Sequence, residues 1–410
     1  MGLALMVSRF SATLTSGDET NLFGYSGDST TEANTQASCT EAATFSLLGF
    51  NIISGGNGTN NLQFRDAGAD GNQLATRSGT GVAEDTTNTD TLSAGDLFNL
   101  AYTDTGTASG ISWTKANVSF TSGHGNFHGC STYGGRVLDV QSQTRFIPLA
   151  GDLVADGGGT EDTIEWKVRG YDSFEALQVR VIANARTNDS IFKNRINAGD
   201  GTAVITYAAG ATGLVSDTGL GDAITDGQTV NASITLDTGV EDLTVTFVCA
   251  TLKSSSNKSE SFSGFISPTG VSRAASSTET YFTIGGNNNI TTLTEAQARI
   301  KVGFAAVVSN LRCYLSANTY TGNGTLKLYQ NGSAVLTTTI TASGGAAWYE
   351  NTSDTITIDA DDELSFEFDE GTSGSITIHS VGITFAPVAA PGGTILPQMM
   401  QHGLFLGMRT

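Results

Sequence analysis

The feature that most constrains this chain is a long internal repeat. Five landmarks recur three times in the same order along its 410 residues. The first is an aromatic strand start, at Arg9-Phe10, Arg145-Phe146 and Tyr281-Phe282, with the phenylalanines 136 residues apart at both steps. Two alternating strands follow: Phe45–Phe50, Leu177–Val181 and Leu311–Leu315, then Leu62–Arg65, Ile191–Lys193 and Leu326–Tyr329. The fourth landmark is an acidic unit ending in a tight turn at Gly95, Gly227 and Asp361, and the fifth is a closing strand at Asn117–Phe120, Leu243–Phe247 and Val381–Phe385. In the acidic unit an Asp (Asp90, Asp222, Asp354) is followed two residues later by an apolar residue (Leu92, Ile224, Ile356), then by the turn and a new strand. Glycine reaches positive φ without steric cost, so the chain can reverse at the turn. These acids have no His, Cys or Lys beside them to form a catalytic set, so their role reads as geometric. A period this long indicates duplicated domains rather than a solenoid. The expected units are 1–140, 141–276 and 277–388, followed by a linker and tail at 389–410.

Apolar residues alternate with Thr and Ser in short runs, the period of half-buried strands. With 50 Gly, 5 Pro and 15% charged residues, turns are frequent and long helices are absent from the pattern. One short helix is expected over Thr292–Ile300, capped by Thr292 or Thr294. The fold class read from this is all-β: three tandem homologous jelly-roll-like β-sandwich domains plus an apolar C-terminal tail. Units of about 130 residues suit a jelly roll of roughly eight strands better than a minimal immunoglobulin-type domain.

The 40 acidic residues against 20 basic give a formal charge of −20. Nucleic acid needs clustered Lys or Arg and is excluded as a partner, as is an anionic membrane surface. The charge reads as solubility and mutual repulsion in a crowded assembly. Met1–Val7 is apolar but has no basic residues before it and is interrupted by Arg9. It is expected to be the first strand rather than a signal peptide. No apolar run is long enough to cross a bilayer. An extracellular-type composition without a secretory signal fits proteins made in a host cytoplasm and released on lysis.

Candidate binding sites are few. Asp66-Ala-Gly-Ala-Asp70-Gly-Asn72 has Gly68 and Arg77 where a calcium loop needs oxygen ligands, so it reads as a hairpin, as do Asn197–Gly201 and Asn331–Ser333. His124, His128 and Cys130 form a weak metal candidate, set against a Gly-rich connecting loop with exposed imidazoles. Cys249 and Cys313 read as small buried residues, while Cys39 and Cys130 could pair in an oxidising medium. Strand tryptophans such as Trp166 read as core. No cofactor is implied. No Gly-x-Ser-x-Gly elbow, His-Glu-x-x-His or phosphate loop is present, so no enzyme is expected.

The tandem jelly-roll layout, the Gly-Asp strand turns, the acidic Ser/Thr/Gly/Asn-rich composition and the missing signal resemble tailed-bacteriophage virion structural proteins of the head-decoration, head-fibre or tail-associated type. The resemblance covers all three units at the level of architecture and transfers no functional residues. It implies a virion location, other virion proteins (capsid or tail subunits) as partners, and a homo-oligomer such as a trimer; three units in one chain are alternatively a pseudo-threefold cluster by themselves. A second reading is a carbohydrate-binding adhesin contacting host surface glycans through loop-tip aromatics such as Tyr102, Phe127, Tyr133 and Tyr320. A third is a polysaccharide hydrolase, which would need a carboxylate pair in a cleft.

The tail departs from the rest of the chain. After Pro391-Gly-Gly393 it carries Ile395, Leu396, Met399, Met400, Leu404, Phe405, Leu406 and Met408. Met-rich apolar segments adapt to irregular grooves, so these residues are expected to dock on a neighbouring subunit. Burying four such side chains contributes about 6–12 kcal/mol gross. Deleting 391–410 is therefore expected to leave a folded protein with an unchanged thermal melt that no longer joins its assembly. A truncated chain that unfolds would place the tail in the third core.

Overall fold

The computed structural model describes residues 2–8, 11–13, 19–23, 27–29, 31–54, 58–105, 110–122, 125–139, 143–153, 161–236, 241–264, 270–275, 279–284, 294–369 and 371–388. The first copy has eight principal strands: β1 (Gly2–Ser8), β2 (Glu19–Phe23), β3 (Ala43–Ser54), β4 (Thr59–Asp66), β5 (Ala69–Ser78), β6 (Gly81–Leu92), β7 (Leu97–Asp104) and β8 (Gly110–Ser122). The second has β9 (Gly125–Leu138), β10 (Gln143–Ile147), β11 (Ser173–Asn184), β12 (Ser190–Ile196), β13 (Gly199–Tyr207), β14 (Gly213–Ala223), β15 (Thr229–Leu236) and β16 (Leu243–Lys253). The third has β17 (Ser259–Gly264), β18 (Thr280–Phe282), β19 (Ala306–Asn318), β20 (Gly324–Gln330), β21 (Ser333–Ile340), β22 (Ala347–Ile358), β23 (Glu363–Asp369) and β24 (Ser375–Pro387).

Each copy is a pair of antiparallel principal sheets with one topology. The first copy pairs its strands in the orders β1-β8-β3-β6 and β2-β7-β4-β5, the second β9-β16-β11-β14 and β10-β15-β12-β13, the third β17-β24-β19-β22 and β18-β23-β20-β21. Numbered within a copy, the orders are 1-8-3-6 and 2-7-4-5, the strand arrangement of a jelly roll. A two-residue strand joins β7, β15 and β23 in turn: Ala37–Ser38, Trp166–Lys167 and Ile300–Lys301. A single helical turn precedes each, at Glu32–Asn34, Glu161–Thr163 and Glu295–Ala298. The last is the helix expected near Thr292–Ile300; it is capped at Thr294, whose N–H donates to Gln297 Oε1 at 3.0 Å. Among the described residues no helix is long and apolar enough to cross a membrane.

The repeated turn does the same thing in each copy. Gly95, Gly227 and Asp361 have φ of +96°, +88° and +78°. Their amides donate to the carbonyls of Cys39, Val168 and Val302 at 2.7, 2.9 and 2.8 Å, and the amides of those residues return bonds to Asp96, Gln228 and Asp362. The side chains of Asp96, Gln228 and Asp362 also close their own turns, accepting from the amides of Ser93, Thr225 and Asp359. The turn is thus pinned to the residue that follows the short strand. Aspartate fills the glycine position in the third copy, consistent with its tolerance of left-handed backbone.

The acids of the unit seal sheet edges. β5 and β13 end their sheets and would present unpaired amides to solvent. Asp85 on β6 accepts from Leu74 N at 2.9 Å, and Asp217 on β14 from Val204 N at 2.9 Å. Asp90 accepts from Asn72 N and Gln73 N, and Asp222 from Thr202 N and Asn194 Nδ2. These carboxylates therefore tie the two sheets of a sandwich at their open side. The third copy differs. Asn351 donates to Thr337 O at 2.8 Å, but among the described residues Asp354 bonds only within its own strand turn. The position opposite Val308, matching Asp90 opposite Phe45, is Ile356, so the expected equivalence of Asp354 with Asp90 is displaced by two residues.

Strand pairing also moves the unit boundaries. β9 lies before residue 140 but bonds along β16 of the second sandwich, and β17 lies before residue 276 but bonds to β24 of the third. The consecutive strands β8 and β9 leave no room for a linker. Phe146 and Phe282 lie on β10 and β18, whose counterpart is β2; the Arg9-Phe10 segment lies outside the described residues. The 136-residue spacing was therefore not the structural period at this landmark, where loop length varies between copies.

Each sandwich has its own core. Phe45 packs on Phe64 and Phe98 at ring separations of 4.7 and 5.0 Å in the first; Phe282 packs on Phe366 and Phe368 in the third. Trp166 is buried, as are Cys39, Cys249 and Cys313. The Asp66–Asn72 stretch is a hairpin turning at Ala67-Gly68 with both residues at positive φ, matched by Asn197-Ala198 and Asn331-Gly332. Arg65 occupies the Asp70 carboxylate and so competes with any cation there.

Burial alone would raise the Asp85 carboxyl, but the Asn88 side chain and the amides of Leu74, Asn88 and Thr87 outweigh it and hold the group at about 2. Its folded value lies below its unfolded one, so its contribution is present above pH ~4 and lost as pH falls through ~2. Asp85→Ala is expected to cost about 1–3 kcal/mol at neutral pH, measured by urea unfolding, because several part-buried hydrogen bonds to its carboxylate are lost together. The cost should shrink in acid.

Candidate functional site

The three sandwiches pack against one another through one recurring junction. The short strand of each copy, with its flanking residues, sits on the outward side of the 1-8-3-6 sheet of the next copy. Between the first and second copies, Gln178 on β11 donates to Ser38 O at 2.7 Å and accepts from Ser38 N at 3.1 Å. Arg180 donates to Gln36 O, Thr246 donates to Asn34 O, and the hydroxyls of Thr40 and Thr251 meet at 2.9 Å. Phe247 and Cys249 of β16 join the hydrophobic cluster of the first copy, so β16 is buried on both faces.

The junction between the second and third copies is ionic. Arg312 on β19 occupies the register position of Gln178 and is fully buried. Its Nε donates to Lys167 O at 2.9 Å, Nη1 to Asn310 O at 3.0 Å, and Nη2 to Glu260 Oε1 at 2.6 Å. Glu260 on β17 is equally buried and also accepts from Arg169 N and Thr384 Oγ1. Burial pushes the Glu260 carboxyl upward against the pull of Arg312. Glu350 on β22 takes both Lys167 and Arg169. Burial raises the Glu350 carboxyl, but these two cations outweigh it and hold it below its ordinary value.

The third copy returns to the first. Lys301, the counterpart of Lys167, donates to Glu84 Oε2 at 2.8 Å, and Glu84 on β6 is the counterpart of Glu350. The pairing with Glu84 raises Lys301 above its ordinary value against the effect of burial. β1 meanwhile lies against both β9 and β17, the first strands of the other two copies. The chain is therefore a closed pseudo-threefold ring. A head-to-tail contact closes when its rotation divides the circle, and here it closes after three copies. At this last junction an open crevice of about 540 Å³ remains, lined by Ser46, Leu47, Thr86, Lys301, Gly303, Ala360 and Asp361.

The sequence-derived candidates are not brought together here. His124 lies outside the described residues; His128 and Cys130 lie on β9 opposite Ala250 and Val248, with side chains outside the description. The stretch is thus largely a strand of the second sandwich rather than the expected connecting loop. Among the described residues no three His, Cys, Asp or Glu side chains are placed to hold a metal. The tail residues Ile395, Leu396, Met399, Met400, Leu404, Phe405, Leu406 and Met408 also lie outside the described residues. Tyr102 and Tyr320, expected at loop tips, are wholly buried. His379 Nε2 lies 2.7 Å from Ser316 Oγ, but the ring is buried, and burial pushes it down to about 4. The junction residues Arg312, Lys167, Glu260 and Glu350 went unnoticed in the sequence. The available signal was that Gln178 and Arg312 share the polar phase of strands already aligned between copies.

Neither a protein-family model nor a curated protein sequence matches the chain. Several solved structures have a weak likeness, among them the following three. The insecticidal delta-endotoxin Cry8Ea1 from Bacillus thuringiensis aligns over 54% of either chain at 9% identity and TM-score 0.18. The chain thus spans about half the length of that toxin. The major capsid protein P2 from bacteriophage PM2 is 10% identical, with 66% of this chain and 100% of that chain covered, at TM-score 0.18. A Paenibacillus xanthan lyase is 9% identical over 83% of this chain and 51% of its own, at TM-score 0.19.

Removing one partner of a buried ion pair leaves an uncompensated charge and costs about 3–5 kcal/mol, whereas replacing both by apolar residues of like volume is often neutral. Glu260→Ala should therefore lose about that much in denaturant titration. The double variant E260L/R312M should recover most of it.

Proposed function

We propose that the chain is a non-enzymatic structural protein of a tailed-bacteriophage-type particle, decorating or stabilising its surface and docking on neighbouring subunits. The observation that supports this reading is the closed ring of three jelly rolls. Asp85 and Asp217 tie sheet edges, and Glu260, Glu350 and Glu84 join neighbouring copies. A ring with pseudo-threefold symmetry suits a lattice position of matching symmetry, where one chain meets several identical neighbours. The alternative reading as a glycan-binding adhesin is weakened by the burial of Tyr102 and Tyr320, which removes two of its four contact aromatics.

The test is immunogold electron microscopy of particles purified from a lysed source culture, using antibody raised against the full chain. Labels at regular positions on the particle surface are the expected result. Particles that carry no label and no chain by mass spectrometry would overturn the proposal.

A further inference from the structure

The crevice between the third and first copies is placed where the sister junction holds arginine. Three register equivalences define it. Lys301 and Lys167 are the second residues of their short strands, and Gly303 and Arg169 each stand two residues further on. Glu84 and Glu350 face Gly49 and Arg312 across equivalent strand pairs. Leu47 and Asn310 are the bulge residues of β3 and β19, with φ of 52° and 54°.

In the sister junction Glu350 receives Lys167 on one oxygen and Arg169 on the other. Beside the crevice Glu84 receives Lys301 on Oε2, and Gly303, which lines the crevice, supplies no side chain for the second position. The other guanidinium is missing too, because Gly49 stands at the position of Arg312. The carbonyls of Lys167 and Asn310, which accept from Arg312, have counterparts in Lys301 and Leu47, both lining the crevice. Two arginines fill one junction; two glycines leave the other open.

We propose that this crevice is a seat for a guanidinium group, presented by an arginine side chain of a partner protein chain. The charge fits. Glu84 and Asp361 flank one cation, Lys301, which lies 2.8 and 3.9 Å from their carboxylates. The formal charge of −20 favours a basic partner. A guanidinium offers a planar fork of five donors that can grip a carboxylate bidentately and still reach carbonyls, a geometry that the compact ammonium of lysine does not match. The seat is a property of the ring and does not depend on the chain belonging to a particle.

The test uses the full chain at low salt, with N-acetyl-arginine amide as probe and N-acetyl-lysine amide as control, read by saturation-transfer NMR. The arginine probe should bind about tenfold more tightly than the lysine probe, a difference of about 1.4 kcal/mol. Free arginine should bind less well than the capped probe, because its carboxylate would face Glu84 and Asp361. Gly303→Arg, which restores the Arg169 arrangement, should abolish binding and raise the melting temperature. Glu84→Gln should weaken binding about tenfold. Equal binding of both probes, or undiminished binding to the Gly303→Arg protein, would overturn the proposal.

Discussion

The structure depends on burying the outward face of one sheet in each sandwich. A jelly roll alone leaves two sheet faces in water. Here one of them is covered by the short strand of the preceding copy, and the cover works because that strand offers main-chain carbonyls that outward side chains can reach. Gln178 uses Ser38 and Arg312 uses Lys167 in the same way. Once the contact exists between two neighbours, its geometry repeats. The third repetition meets the first copy and ends the series.

The copies solve this common problem with different chemistry. The first junction has no ion pair among the described residues and combines side-chain bonds from Gln178 and Arg180 to main-chain atoms with Phe247 and Cys249 sunk into the neighbouring core. The second is ionic and wholly buried around Glu260 and Arg312. The third keeps the Lys-to-Glu pair but lacks the arginines. Buried ion pairs are poor sources of net stability because desolvation offsets attraction, yet they penalise misplacement heavily. The second junction is therefore better suited to fixing the register of two copies than to strengthening their contact.

Local geometry was the most legible part of the sequence. The turns at Gly95, Gly227 and Asp361 were readable because a reversal with positive φ needs particular residues, and the short helix at Thr294 because capping does too. Copy boundaries were not. They were drawn from aromatic strand starts, but β9 and β17 are placed by the strands they pair with, hundreds of atoms away, and their composition resembles loop. The third-copy equivalence failed for a related reason: Ile356 replaces an acid at the matching register, and only pairing with β19 reveals it. The junctions were hidden because a charged residue on a strand reads as solvent-facing until a neighbour covers it, as Lys167 covers Arg312.

Carrying all three copies on one polypeptide changes the mass action of the ring. Three separate subunits would come apart on dilution, with a midpoint set by their concentration. Here each copy sees its neighbours at a fixed effective concentration governed by the connecting residues. The connection between β8 and β9 is so short that this concentration is high at any dilution. Ring closure is then a unimolecular equilibrium, and each junction is free to diverge by itself. A substitution in a trimer of identical chains appears three times at once; in this chain one junction carries Gly303 where another carries Arg169.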